Sequence, residues 1–239
     1  MVKCKIMNIK DIVKSEIQNC SKLDLFGLLF VLVFILINAF FVKDNPVAVI
    51  SAFCGILYSF FAGKGKIYCY MFGLSGTFCY SWLAFDNALW GNLLLYAGYY
   101  FPMQIVGIFT WRKNLKKGEL EIKKSRLNRI EAIIMCCSVV VLSVFVVSLI
   151  KYFKGSSPIF DGVTLVLSLL GMYLTVKRSI EQWVVWAIVN ALSFVMWLNF
   201  VLSGAKTFST LIMWGVYFVM AVYFYIKWNE ELKNIRNSN

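Results

Sequence analysis

Long apolar runs, rather than the short alternations of a soluble fold, set the pattern of this chain. Eight can be marked out, over 25–42, 46–62, 67–85, 88–111, 132–150, 162–176, 182–201 and 207–226, with short polar or basic stretches between them. A helix needs about 18–20 apolar residues to cross a bilayer, so each run predicts a transmembrane helix. The 162–176 run is short, and its helix is expected to begin nearer Pro158. None of the charged residues lies inside the eight runs. A charge at a helix centre costs at least about 2.5 kcal/mol, so insertion requires this exclusion. The first run is too long for a secretory leader and no small-residue cleavage site follows it, which predicts a retained helix.

Composition strengthens the reading. Of the 239 residues 60% are apolar and 15% charged, against roughly 45–50% apolar in ordinary globular domains. A soluble fold of this size could not hide that much apolar surface. The net charge of +12 first suggests nucleic acid, but the positions of the charges decide otherwise. On alternating sides of the eight runs Lys and Arg divide 20 to 4, the larger share with both termini. This asymmetry over short loops predicts cytoplasmic N- and C-termini, with the excess charge facing anionic inner-leaflet lipid and no nucleic-acid partner. The stretch 112–129 reads as a basic cytoplasmic linker suited to the membrane surface. Ile6, Ile9, Val13 and Ile17 fall at helical spacing among lysines, a pattern for an interfacial N-terminal helix.

The prolines uncover a repeat. Pro46 and Pro158 each open a group of three runs, and Gly55 and Gly171 sit in the opening helix of each. Trp82 and Phe85 fall on Trp197 and Phe200, Tyr100 and Met103 on Tyr217 and Met220, and Trp111 on Trp228. The expected fold is an all-α polytopic membrane protein of eight transmembrane helices: an extra N-terminal helix, then a 3+1+3 parallel repeat of three-helix bundles. Its parts are an N-terminal arm 1–22, the extra helix 23–44, the first bundle 45–111, the linker 112–129, the linking helix 130–157, the second bundle 158–228 and the tail 229–239. One linking helix starts both triplets on the same side, a plan with its site at the interface of the halves.

Candidate ligand contacts come from polar and aromatic residues inside the runs. Trp183, Trp186, Asn190 and Trp197 share one helix face, where the first repeat has Tyr68, Met71, Ser75 and Trp82. Tyr96, Tyr100 and Gln104 share another, on a helix that Pro102 is expected to kink near Gly98. Trp214, Tyr217 and Phe218 share a third. Aromatic rings with mid-span amides suit a small, flat, hydroxylated ligand, and indole faces suit a cation. Taken singly such residues more often serve helix packing, and Asn190, Gln104 and Trp186 stand out because mid-span amides need partners and Trp186 shares a face with Asn190. With no histidine, no charged group in the runs and no Walker sequence, proton relay and nucleotide hydrolysis have no residues to act through, which leaves facilitated diffusion as the simplest mechanism and no cofactor or metal to expect. Cys54, Cys69, Cys79, Cys136 and Cys137 lie in apolar runs as small packing residues.

The stretch 90–111, WGNLLLYAGYYFPMQIVGIFTW, with Trp186 and Asn190 in the seventh run, resembles the PnuC family of bacterial nicotinamide riboside transporters over residues 46–228. The resemblance implies two three-helix bundles joined by one helix, similar to an enlarged SWEET-type transporter, and a homotrimer in the inner membrane. It implies uptake of nicotinamide riboside by facilitated diffusion, with a cytoplasmic kinase trapping the product. On that footing Trp183 or Trp186 would stack on the pyridinium, Asn190 and Gln104 would bond the carboxamide or ribose, and Tyr100, Trp214 and Tyr217 would close the cavity. Family relatives carry thiamine, riboflavin or deoxynucleosides, and these stay open, as does a non-transporting scaffold subunit. An enzyme would need an intramembrane acid, base or metal site.

Overall fold

A computed structural model describes residues 21–42, 45–86, 90–116, 121–153, 158–203 and 208–238. The arm with Ile6, Ile9, Val13 and Ile17, together with Lys43, Lys154 and Lys206, lies outside the described residues. Two compact units divide at Lys43. The first holds α1 (Lys22–Val42), which opens on a reciprocal cap between Ser21 and Asp24 and exposes Phe26, Leu29, Phe30, Phe40 and Phe41.

The second unit is all-helical: α2 (Pro46–Gly63), α3 (Cys69–Asp86), α4 (Trp90–Leu93), a π-helical turn (Leu94–Tyr100), α5 (Phe101–Lys113), α6 (Arg129–Tyr152), α7 (Pro158–Lys177), α8 (Glu181–Leu202) and α9 (Phe208–Ser238). Pro46 occupies the first turn of α2, where its missing N–H deprives no carbonyl, and Asn45 caps that turn by accepting from Val47 N–H. The short sixth run does begin at Pro158. Among the described residues six helices can cross a membrane by length and composition: α1, α2, α6, α7, α8 and α9. The runs predict eight. The two that fall short are α3, diluted by Gly73, Ser75, Gly76, Thr77 and Ser81, and the stretch 90–113, broken by the π turn.

Pro102 explains that break. A proline cannot supply its helical N–H and crowds the preceding turn. Here the chain takes up one extra residue before it, Phe101 N–H reaching back five residues to the Tyr96 carbonyl. The expected kink is thus realised as a π turn.

Within this unit α2 packs on α3 and α3 on α5, while α7 packs on α8 and α8 on α9. The two groups cross over: α5 packs on α7, and α9 on α2. Helix α6, capped by a reciprocal Asn128–Glu131 pair, lies along α7 and has no buried residue, as a lipid-facing helix would.

The basic linker does not lie loose at the surface. Residues 121–125 thread between two loops, Ile122 N–H donating to the Gly65 carbonyl, Ser125 N–H to the Arg178 carbonyl and Ile180 N–H back to Ser125, each at 2.9 Å. Ile122 is fully buried there. Helix α9 runs past the expected end of its span to Ser238, so that Glu231 reaches Lys116 and Lys124. Glu121 meets the same two lysines and lies 4.0 Å from Lys66. Partial burial opposes the charge of Glu121, yet Lys116, Lys124 and Lys66 together hold its carboxyl below the usual range. A lowered folded pKa gives stability that is present above the ordinary carboxylate pKa and is lost as pH falls through the lowered value. Glu121→Gln is therefore expected to cost on the order of 1 kcal/mol at pH 7. Thermal unfolding of the two proteins should converge as the pH is taken below about 4.

Candidate functional site

The crossover of α5 onto α7 and of α9 onto α2 lines the interior with tyrosines. Because of the π turn, Tyr99 donates its hydroxyl to the Leu169 carbonyl at 2.8 Å, while Tyr100 pairs with the buried Ser168. Tyr96 stacks on Tyr80 with centroids 4.1 Å apart and meets Tyr100 edge-on at 4.9 Å. From the other group, the Tyr217 hydroxyl sits over Gly55, so close that a Cβ there would be 2.6 Å away. Tyr217 is within electrostatic reach of Tyr96 and its ring lies 6.1 Å from Trp214. Tyr58 joins from α2, its hydroxyl 3.8 Å from the Met172 sulfur.

Two buried polar atoms here are unpaired. Gln104 donates Nε2–H to Thr77 Oγ1 at 2.8 Å, and its Oε1 has no hydrogen-bond partner. The amide can turn end for end and Thr77 can serve either end, so one polar end stays unpaired in both orientations. The Trp214 indole N–H is likewise buried without an acceptor. Asn190 is buried at 6% exposure. Leaving the Gln104 end and the Trp214 N–H unsatisfied costs free energy that a hydrogen-bonding ligand would recover.

Two indoles of α8 are engaged by protein groups. Trp186 donates Nε1–H to Thr175 Oγ1 at 3.2 Å and lies over Gly171, where a Cβ would be 2.9 Å from its ring. Trp183 is 4% exposed, with Phe224 at 5.3 Å and Trp228 at 5.7 Å. So Tyr96, Tyr100, Tyr217 and Trp214 are brought together, while Trp183 is packed into the basic end. Phe218, expected beside Trp214 and Tyr217, is 39% exposed and turns outward. Tyr58, Tyr80, Thr77 and Ser168 were not singled out by sequence. A tyrosine in mid-span three residues after Gly55 was the one available signal for Tyr58.

The fold and this interior define a multi-pass helical membrane protein whose middle is lined by uncharged aromatic and polar groups. Residues 45–230 match the family described as nicotinamide mononucleotide transporter, and the chain belongs to that family, which includes the PnuC transporters. It is 34% identical over 199 residues to a nicotinamide riboside transporter PnuC of Neisseria mucosa, covering 81% of this chain and 75% of that one. With a PnuC of Haemophilus influenzae it shares 31% identity over 195 residues, 80% and 82% of the two chains. A crystal structure of the vitamin B3 transporter PnuC superposes with a TM-score of 0.77 at 30% identity, covering 90% of this chain and 94% of that one.

Proposed function

We propose that this protein takes up nicotinamide riboside across the bacterial inner membrane by facilitated diffusion, without proton or nucleotide coupling. The observation that carries the reading is an aromatic interior, free of charged side chains, in a domain whose relatives are named for that substrate. A planar pyridinium cation suits tyrosine and indole faces. Its carboxamide and ribose hydroxyls suit Asn190, the open end of Gln104 and the Trp214 N–H, with Tyr100 and Tyr217 closing the cavity. From α8, Trp186 packs on Gly171 and Thr175 and Trp183 on Phe224 and Trp228. Eight crossings, counting α3 and the 90–113 helix, arrange as a SWEET-like 3+1+3 repeat after α1, with both termini cytoplasmic and three copies in the assembly. Phosphorylation by a cytoplasmic kinase would hold the product inside.

The family description raises the mononucleotide as a second substrate. The runs contain no Lys or Arg to pair with a phosphate, which argues for the riboside. Calorimetric titration of the detergent-purified protein with nicotinamide riboside, its mononucleotide, nicotinamide and thiamine tests this. Saturable heat from the riboside alone is expected. Equal affinity for the mononucleotide would overturn the selectivity argument, and heat from thiamine alone would change the vitamin.

A further inference from the structure

Most of the fully buried large side chains of the helical unit gather at one end, the end of the basic linker. Trp111, Trp228 and Ile122 are 0% exposed, Tyr70 and Ile180 1%. Two hydrogen bonds there form a matched pair. Trp111, at the end of α5, donates Nε1–H to the Thr175 carbonyl near the end of α7, at 2.9 Å. Trp228, on α9, donates Nε1–H to the Gly63 carbonyl at the end of α2, at 2.6 Å. Each indole leaves its own group of helices and ties the first helix of the other. Each is also braced by an aromatic at the start of the middle helix of its own group. Tyr70 meets Trp111 at 5.0 Å and 77°, and Trp183 meets Trp228 at 5.7 Å and 81°.

The loops next to them match as well. Gly65 and Arg178 are the two described residues in the left-handed region, at φ 68° and 62°, and the linker bonds to both carbonyls. Arg178 holds a conformation that strains a residue with a Cβ. The seal is incompletely satisfied: Tyr70 Oη, Gln182 Nε2, Trp183 Nε1 and Arg178 Nε are buried without hydrogen-bond partners. A permanent packing core seldom keeps four such atoms together. Water entering on opening would pair them, which lowers the cost of parting the two groups.

We propose that this end is a gate, held shut by the reciprocal latches Trp111 on Thr175 and Trp228 on Gly63, and that release of a solute on the basic side requires both indole bonds to break. The proposal rests on the transport reading, but its test needs no substrate, so a wrong substrate would leave it standing. Cys69 supplies a native reporter: it is 0% exposed and adjoins Tyr70, whose ring touches Trp111.

In full-length protein with the other six cysteines changed to serine, reconstituted into vesicles, Cys69 is labelled with a membrane-impermeant maleimide from either side. Trp111→Phe and Trp228→Phe keep a ring and remove the N–H. Each is expected to speed Cys69 labelling about five- to tenfold, from the basic side alone. Single-Cys79 protein, reporting on the middle of α3, should label at the unaltered rate. Unchanged Cys69 labelling in both folded variants would overturn the gate, as would Cys79 accelerating in step with Cys69, the mark of general loosening. Should Trp111→Phe fail to fold, Trp228→Phe decides alone by the same criteria.

Discussion

Alanine at position 63 or 107 should strongly destabilise the protein, while alanine at position 27 should leave it unchanged. A Cβ on Gly63 would overlap the Phe224 ring, and one on Gly107 would lie 2.6 Å from Cε1 of Tyr70. Neither ring can withdraw. Phe224 is 2% exposed and held by Trp183 at 5.3 Å, Tyr223 at 5.1 Å and Phe60 at 6.1 Å. Tyr70 is 1% exposed between Trp111 and Tyr58. Overpacking of this kind costs about 1–3 kcal/mol and sometimes more, or a melting point lower by roughly 2–12 °C in a chain of this size. The Gly63 variant also shifts the carbonyl that Trp228 binds. Gly27 has nothing within 4 Å of such a Cβ. Thermal unfolding followed by size-exclusion chromatography in detergent would measure all three. Equal melting points for Gly63→Ala and Gly27→Ala would mean that the closed end is not the packed structure described.

What the chain displays in sequence and what it hides divide along physical lines. Lipid demands long charge-free runs, so the helices were legible, and Pro46 and Pro158 marked two starts while Pro102 marked a kink whose π-helical form was not legible. The docking of residues 121–125 was not, because it runs through backbone N–H and carbonyl groups, which leave no side-chain period to read. The basic residues there looked like a surface linker because Lys116 and Lys124, besides the neighbouring Glu121, pair with Glu231 on a distant helix. Trp183 and Trp186 show the limit most clearly. Three residues apart on α8, they read as one aromatic face, yet one packs on Phe224 and Trp228 and the other on Gly171 and Thr175. Periodicity says which residues share a face and not what that face meets.

That division separates ligand contacts from packing residues and gives the sharpest test of the proposed site. Asn190→Ala and Gln104→Ala should each weaken nicotinamide riboside binding roughly 10- to 100-fold, the worth of about 1.4–3 kcal/mol for a buried polar group deprived of its partner. Trp214→Phe keeps an aromatic ring and deletes the unpaired N–H, so a loss of roughly 5- to 30-fold in affinity is expected. Trp183→Phe should do the opposite: its indole is enclosed by Phe224 and Trp228, so stability falls while affinity holds. Trp186→Phe removes a donor already spent on Thr175, and the loss should again appear mainly in stability. Titration calorimetry beside a melting curve on each folded variant reads both quantities. If Trp183→Phe lost affinity while Asn190→Ala and Trp214→Phe kept it, the ligand would sit toward the basic end, against the latch, and the tyrosine-lined middle would be packing rather than a binding site.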